Sequence, residues 1–183
     1  MSKDTLIQYV GFITNLTAEK FIPKWDQYAN RLINKKYEPV LIEQLTDTKN
    51  KFKFISKHEW PYRDSNFTFM NERKSEHFPE HNVKVVQLGG YITSPLIQKG
   101  LPEAGDSTVI AFVNHQETDI NFYRHLTLYR HLNINQAFYE SCMYGYVLEF
   151  ISSEKDNEEL VLLLKQRQGV ETGIFKECLV PHQ

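Results

Sequence analysis

Cysteine is scarce in this 183-residue chain, which has only Cys142 and Cys178. Two thiols make neither a disulfide framework nor a four-cysteine zinc site. Long apolar runs are missing as well. The longest, among them Val109–Val113 and Leu160–Leu164, are five residues long, far short of a bilayer-spanning segment. The opening Met1-Ser2-Lys3-Asp4 has no apolar stretch of the signal-peptide type and no glycine for myristoylation. Charge of one sign is absent too: 21 basic against 23 acidic side chains leave a net −2, without the basic excess of a nucleic-acid binder. No G-x-S-x-G elbow, G-x-x-x-x-G-K-[ST] phosphate loop or H-E-x-x-H zinc helix occurs. These absences point to a cytoplasmic globular protein with no nucleic-acid and no membrane partner. The 41% hydrophobic content suits a packed core, since a chain of this size buries about 70% of its unfolded surface.

Element order is the most informative feature. Leu6–Ile13 reads as a strand. Thr17 offers an N-cap for a helix that sets Phe21, Trp25, Tyr28 and Leu32 on one face, with Pro23 inside it. Val40–Leu45 and Phe52–Ile55 read as strands about a polar turn. A helix from Asp64 or Ser65 then carries Phe67, Met70, Lys74 and His77, and Pro79 stops it. Val83–Ile92 reads as a strand, and Gly89-Gly90 within it marks a bulge or a close backbone approach.

Residues 95–106, with prolines and glycines, read as a linker in which neither helix nor ladder continues. The order then repeats. Val109–Val113 is a strand, and Asp119 caps a helix with Phe122, Leu126, Tyr129 and Leu132 inward. Ala137–Cys142 and Tyr144–Ile151 are strands. Asp156 and Glu159 form a capping box for a helix carrying Leu160, Val161, Leu163 and Leu164. Gly169 ends that helix, and Val170–Val180 is the last strand. Both halves thus read β-α-β-β-α-β, giving an α+β chain with a first ferredoxin-like repeat over residues 1–94 and a second over 107–183.

Strands such as Val109–Val113 are apolar at successive positions and call for burial on both faces. Packing the two sheets face to face, with helices outside, supplies it. In this the chain resembles the dimeric α+β barrel superfamily, with tandem repeats fused into one pseudo-dimeric barrel. Relatives include antibiotic-biosynthesis and haem-degrading monooxygenases, chlorite dismutases, muconolactone isomerases, polyketide cyclases and small-ligand sensors, so the fold alone names no function. The resemblance implies a site in the cleft between a sheet and its helices, and further association into homo-oligomers.

The densest candidate segment is His58-Glu59-Trp60-Pro61-Tyr62-Arg63-Asp64, read as running from a strand end into the second helix. It puts an imidazole, two aromatics and a guanidinium within six residues. On the enzyme reading His58, Arg63 and His77 are catalytic, while Trp60, Tyr62, Phe67 and Met70 hold a small hydrophobic or aromatic molecule. The plainer reading is an ordinary strand-to-helix connection, with Trp60 as a plug and Arg63 paired to Asp64. In haem-degrading relatives a helix-terminal histidine is the axial iron ligand, aided by a tryptophan and an asparagine. The resemblance offers His77, Trp60 and Asn15 for those parts, although the helix itself lacks a tryptophan. A helix-terminal histidine also simply suits the helix dipole. The alternative function is a non-catalytic ligand-binding or stress-response protein using the same pocket.

Overall fold

The computed structural model describes residues 6–30, 39–45, 49–60, 78–117 and 119–178. Among them are nine strands and three helices. The first half contributes β1 (Leu6–Ile13), α1 (Ala18–Asn30), β2 (Val40–Gln44), β3 (Phe54–Trp60) and β4 (Lys84–Thr93). After the short β5 (Ile97–Gln98), the second half contributes β6 (Ser107–Val113), α2 (Ile120–Arg124), β7 (His131–Ala137), β8 (Tyr146–Ser152), α3 (Glu154–Lys165) and β9 (Val170–Glu177).

The sheet runs β4-β1-β3-β2-β9-β6-β8-β7, and β4 also pairs with β7, closing eight strands into a barrel. All its pairings are antiparallel. Counted within its own half, each set of four strands lies in the order fourth, first, third, second. β5 is appended outside the barrel, pairing Ile97 with Leu132 and Gln98 with His131. The proline- and glycine-rich connection therefore does hold a short ladder. Arg130 fastens it further, with ion pairs to Glu103 (3.2 Å) and Asp106 (3.0 Å).

Closure, with a helix outside, gives β6 two buried faces. On β6, Ile110 and Phe112 point into the barrel with Tyr9, Ile42, Ile55, Tyr91, Val147 and Phe175. Val109, Ala111 and Val113 point outward, against Leu160 and Leu164 of α3. A third cluster lies outside the first half's sheet, where Phe21, Trp25 and Ala29 of α1 pack on Phe12, Leu41 and Phe54. Phe21 stacks on Phe54 with ring centroids 4.0 Å apart and planes 6° from parallel. Pro23 is accommodated within α1, close enough to the helix start that few backbone bonds are lost.

Several elements depart from the sequence reading. The helix after Asp119 lasts only five residues. Its buried residue is Tyr123; Phe122 is half-buried, Tyr129 lies in the following turn and Leu132 lies on β7. The strand expected at Ala137–Cys142 lies earlier, at His131–Ala137, and residues 138–145 form a turn. α3 starts one turn before the expected box, with Ser153 as N-cap accepting from the Asp156 amide. The second helix expected in the first half, from residue 64 on, lies outside the described residues.

Gly89 and the following glycine do mark a close approach. Register shifts opposite Tyr9 and Val10, where Tyr9 faces Gly89 but Val10 faces Gln87. Gly89 has φ +114°, and a Cβ there would lie 2.6 Å from the Cys142 sulfur. Only glycine fits both the backbone and the space.

Candidate functional site

His58 and Trp60 lie within β3 itself, not beyond its end. Register sets His58 beside Gln8 and Trp60 beside Leu6 on the outward face of the first half's sheet. The imidazole is 8% exposed and its ring centroid is 4.3 Å from that of Trp60, at 34° between planes. Trp60 Nε1 donates to Gln8 Oε1 at 3.1 Å. Gln8 Nε2 in turn donates to Gln87 Oε1 at 3.2 Å. Three strands thus align one imidazole, one indole and two carboxamides in a strip. A buried polar side chain is costly unless bonded, and this chain of donors answers that cost for Gln8 and the indole.

Inside the barrel a second polar group converges, which the sequence reading did not single out. Tyr9 donates to Glu149 Oε2 at 3.0 Å, and Lys57 Nζ reaches Glu149 Oε1 at 2.8 Å. Asn135 Nδ2 donates to the Tyr9 oxygen (3.0 Å) and to the Val147 carbonyl (2.9 Å), while Thr93 donates to Asn135 Oδ1 at 2.7 Å. Burial, and then the neighbouring Glu149 carboxylate, push the Tyr9 hydroxyl far above the ordinary phenol range. It therefore stays protonated and serves as a donor. The clue in the sequence was Glu149 within the otherwise apolar Val147-Leu148-Glu149-Phe150-Ile151.

Of the expected site residues, His58 and Trp60 are brought together. Tyr62, Arg63, Phe67, Met70 and His77 lie outside the described residues. Asn15 is exposed beyond the far end of β1, whereas Trp60 faces Leu6 at its near end. The strand between them is roughly 23 Å long at 3.3 Å per residue. Those two helpers cannot serve one iron, so haem finds no converging set among the described residues.

Two further histidines make local bonds to backbone carbonyls. His125 Nδ1 lies 2.8 Å from the Asn121 carbonyl on an exposed turn. His115 Nε2 lies 2.7 Å from the Cys142 carbonyl. Both cysteines sit just outside strands. Cys142 is buried and donates to the Gly90 carbonyl. Burial, with Glu43 and Glu177 nearby, pushes the Cys178 thiol up to about 11, which disfavours the nucleophilic thiolate.

No protein-family model and no curated protein matches the chain by sequence. Solved structures do match in fold. A chlorite dismutase variant from Candidatus Nitrospira defluvii superposes with a TM-score of 0.58 at 7% identity, over 96% of this chain and 93% of the other. An anthrone oxidase-like protein gives 0.52 at 9% identity, over 97% and 92%. A protein described as a monooxygenase, from Fusobacterium nucleatum subsp. nucleatum, gives 0.51 at 9% identity, over 97% and 94%. The fold is thus similar to that of chlorite dismutase, an α+β barrel. At such identities the likeness concerns the fold alone. Among the described residues no helix is long and apolar enough to cross a membrane.

Proposed function

We propose that the chain is an enzyme of monooxygenase-, isomerase- or cyclase-like type that acts on a hydrophobic or aromatic small molecule over the outer face of the first half's sheet. The observation that carries this reading is the buried His58 imidazole packed at a tilt against Trp60 within a strip of bonded carboxamides. An aromatic substrate would stack on the indole. His58 would take a proton from an acidic C–H or O–H group of that substrate. The carboxamide of Gln87 would donate to the developing anion. Arg63 and His77 are assigned to charge stabilisation and proton transfer, and Tyr62, Phe67 and Met70 to holding the substrate. The fold likeness to an anthrone oxidase-like protein and a described monooxygenase makes tricyclic phenol precursors the first substrates to try.

The same reading takes the halves as tandem ferredoxin-like repeats, residues 1–94 and 107–183, joined by 95–106. The shared strand order supports this. It also takes the protein as cytoplasmic and as associating into homo-oligomers. A second reading, a non-catalytic small-ligand-binding or stress-response protein, has one observation in its favour: His58 is the strip's single titratable group among the described residues.

Trp25 and Trp60 are the chain's two tryptophans, so Trp25→Phe leaves Trp60 as sole fluorophore. In that background anthrone should quench emission saturably, and oxygen uptake should accompany conversion of its methylene to a ketone. His58→Gln should keep the quenching and lose the uptake. Quenching without uptake in the parent would favour the binding reading. No quenching by any tricyclic phenol would refute both.

A further inference from the structure

Apart from the His58 strip, with which it shares no residue, a cleft of about 280 Å³ opens between the loop before β3, the end of α3 and the start of β9. Three lysines line it: Lys49 and Lys51 from the loop, and Lys165 from the last turn of α3. Lys51 is partly committed. Its ammonium lies 3.7 Å from Glu171 and 5.2 Å from the Phe52 ring centroid. Glu171 is itself engaged by the Tyr144 hydroxyl at 2.8 Å. Among the described residues, Lys49 and Lys165 form no ion pair. Among the described residues Glu171 is the one acidic lining residue, so the lysines and carboxylate described there leave an excess of two positive charges. The excess comes from Lys49 and Lys51 of the first half, since Lys165 and Glu171 of the second half cancel.

The walls are built rather than loose. Gln44 Nε2 donates to the carbonyls of Asn50 (2.8 Å) and Phe52 (2.6 Å), and Gln44 Oε1 accepts from the Asn50 amide (3.1 Å). Asn50 Nδ2 reaches across to the Thr172 carbonyl at 3.1 Å. Gly173 permits that approach, since a Cβ there would lie 3.1 Å from Asn50 Cβ and 2.6 Å from the Phe175 ring. Thr172 lines the cleft, is only 6% exposed, and its hydroxyl has no hydrogen-bond partner among the described residues. A floor fixed by these bonds, beneath two ammonium groups without an ion pair among the described residues, is preorganised for an anion.

We propose that this cleft binds a small dianion of the phosphate or phosphate-monoester class. Its two-charge excess matches such a group, and its volume admits a phosphate with a few attached atoms but not a nucleotide. Lys49 and Lys165 would bond the anion's oxygens, with Lys51 shared between it and Glu171. The site is independent of the chemistry proposed at His58.

The probe is inorganic phosphate, titrated at constant ionic strength against chloride and followed by amide chemical shifts. Expected is a saturable shift confined to residues 49–51 and 170–173, with half-saturation at or below about 1 mM, the range two charge-assisted contacts can support. Lys165→Ala and Lys49→Ala are exposed replacements, and each should weaken binding about tenfold, as the loss of one charge-assisted bond implies. Saturable shifts that weaken in both variants support the site. Shifts that do not saturate, that chloride reproduces, or that persist unchanged in the Lys49→Ala/Lys165→Ala protein overturn it.

Discussion

Lys57→Met should destabilise the fold more than Glu149→Gln, and the two together should cost less than their sum. The Glu149 side chain is 6% exposed inside the barrel and the Lys57 side chain 27%. Removing the lysine strands a buried carboxylate with only the Tyr9 hydroxyl to answer it. For a fully buried pair, losing one partner costs about 3–5 kcal/mol, and the partial exposure of Lys57 places this case near about 3. Glu149→Gln keeps an acceptor for Tyr9 and leaves a lysine whose flexible stem can turn to water, so about 1–2 kcal/mol is expected. In the double variant no charge is stranded, and the cost should return to about 1–2 kcal/mol, a coupling of about 2–3. Urea unfolding followed by the fluorescence of buried Trp25 measures all four proteins, and such losses remain tolerable for a domain whose stability is about 5–15 kcal/mol. Single costs that are equal, and additive within about 0.5 kcal/mol, would refute the idea that the barrel's polar end is one coupled unit.

Gly89→Ala meets two obstacles, the φ of +114° and a sulfur 2.6 Å from the new Cβ; together they should cost about 3 kcal/mol in the same assay. Burial would push the Glu117 carboxyl up, yet the Asp119 amide and the Arg167 guanidinium hold it below its ordinary range. A depressed carboxylate stabilises the fold above its unfolded pKa, about 4.3, and that contribution disappears as pH falls through the lower folded value. Thermal midpoints should therefore drop more steeply below about pH 4 in the parent than in Arg167→Gln; parallel curves would show that Arg167 does not set Glu117.

Where a strand sees apolar surroundings on both sides, its residues announced it. β1 falls on the expected Leu6–Ile13, and the run Val109–Val113 is buried on both faces because the barrel takes one set and α3 the other. β7 shows why the same logic failed a few residues away. Its inward positions include Asn135, which belongs to the polar network with Tyr9 and Thr93, so the alternation that marks a strand is blurred. Phe122, Leu126, Tyr129 and Leu132 meanwhile keep helical spacing by coincidence, spread over a helix, a turn and a strand. His58 and Trp60 could be chosen by residue type. Gln8 and Gln87 could not, because their meeting depends on a register shift that only the Gly89 bulge produces.

The two outer sheet faces differ in what they offer a ligand, and the proposed site follows that difference. In the second half, Leu132, Ile134, Leu148 and Phe150 meet Tyr123, Tyr129, Leu160 and Leu164 in an apolar layer. The buried polar contact at its edge, between Ser152 and Asn157, is closed on itself. Such a face holds its helix in place and offers a substrate nothing to react with. The first half's face is divided instead. Its Phe12, Leu41 and Phe54 end is sealed by α1, while the Gln8, His58 and Trp60 end turns polar and aromatic. Burying the polar atoms of Gln8 and His58 costs stability unless they are bonded. A polar and aromatic end is what the proposed aromatic ligand requires, and that is the ground on which the site is proposed on this face.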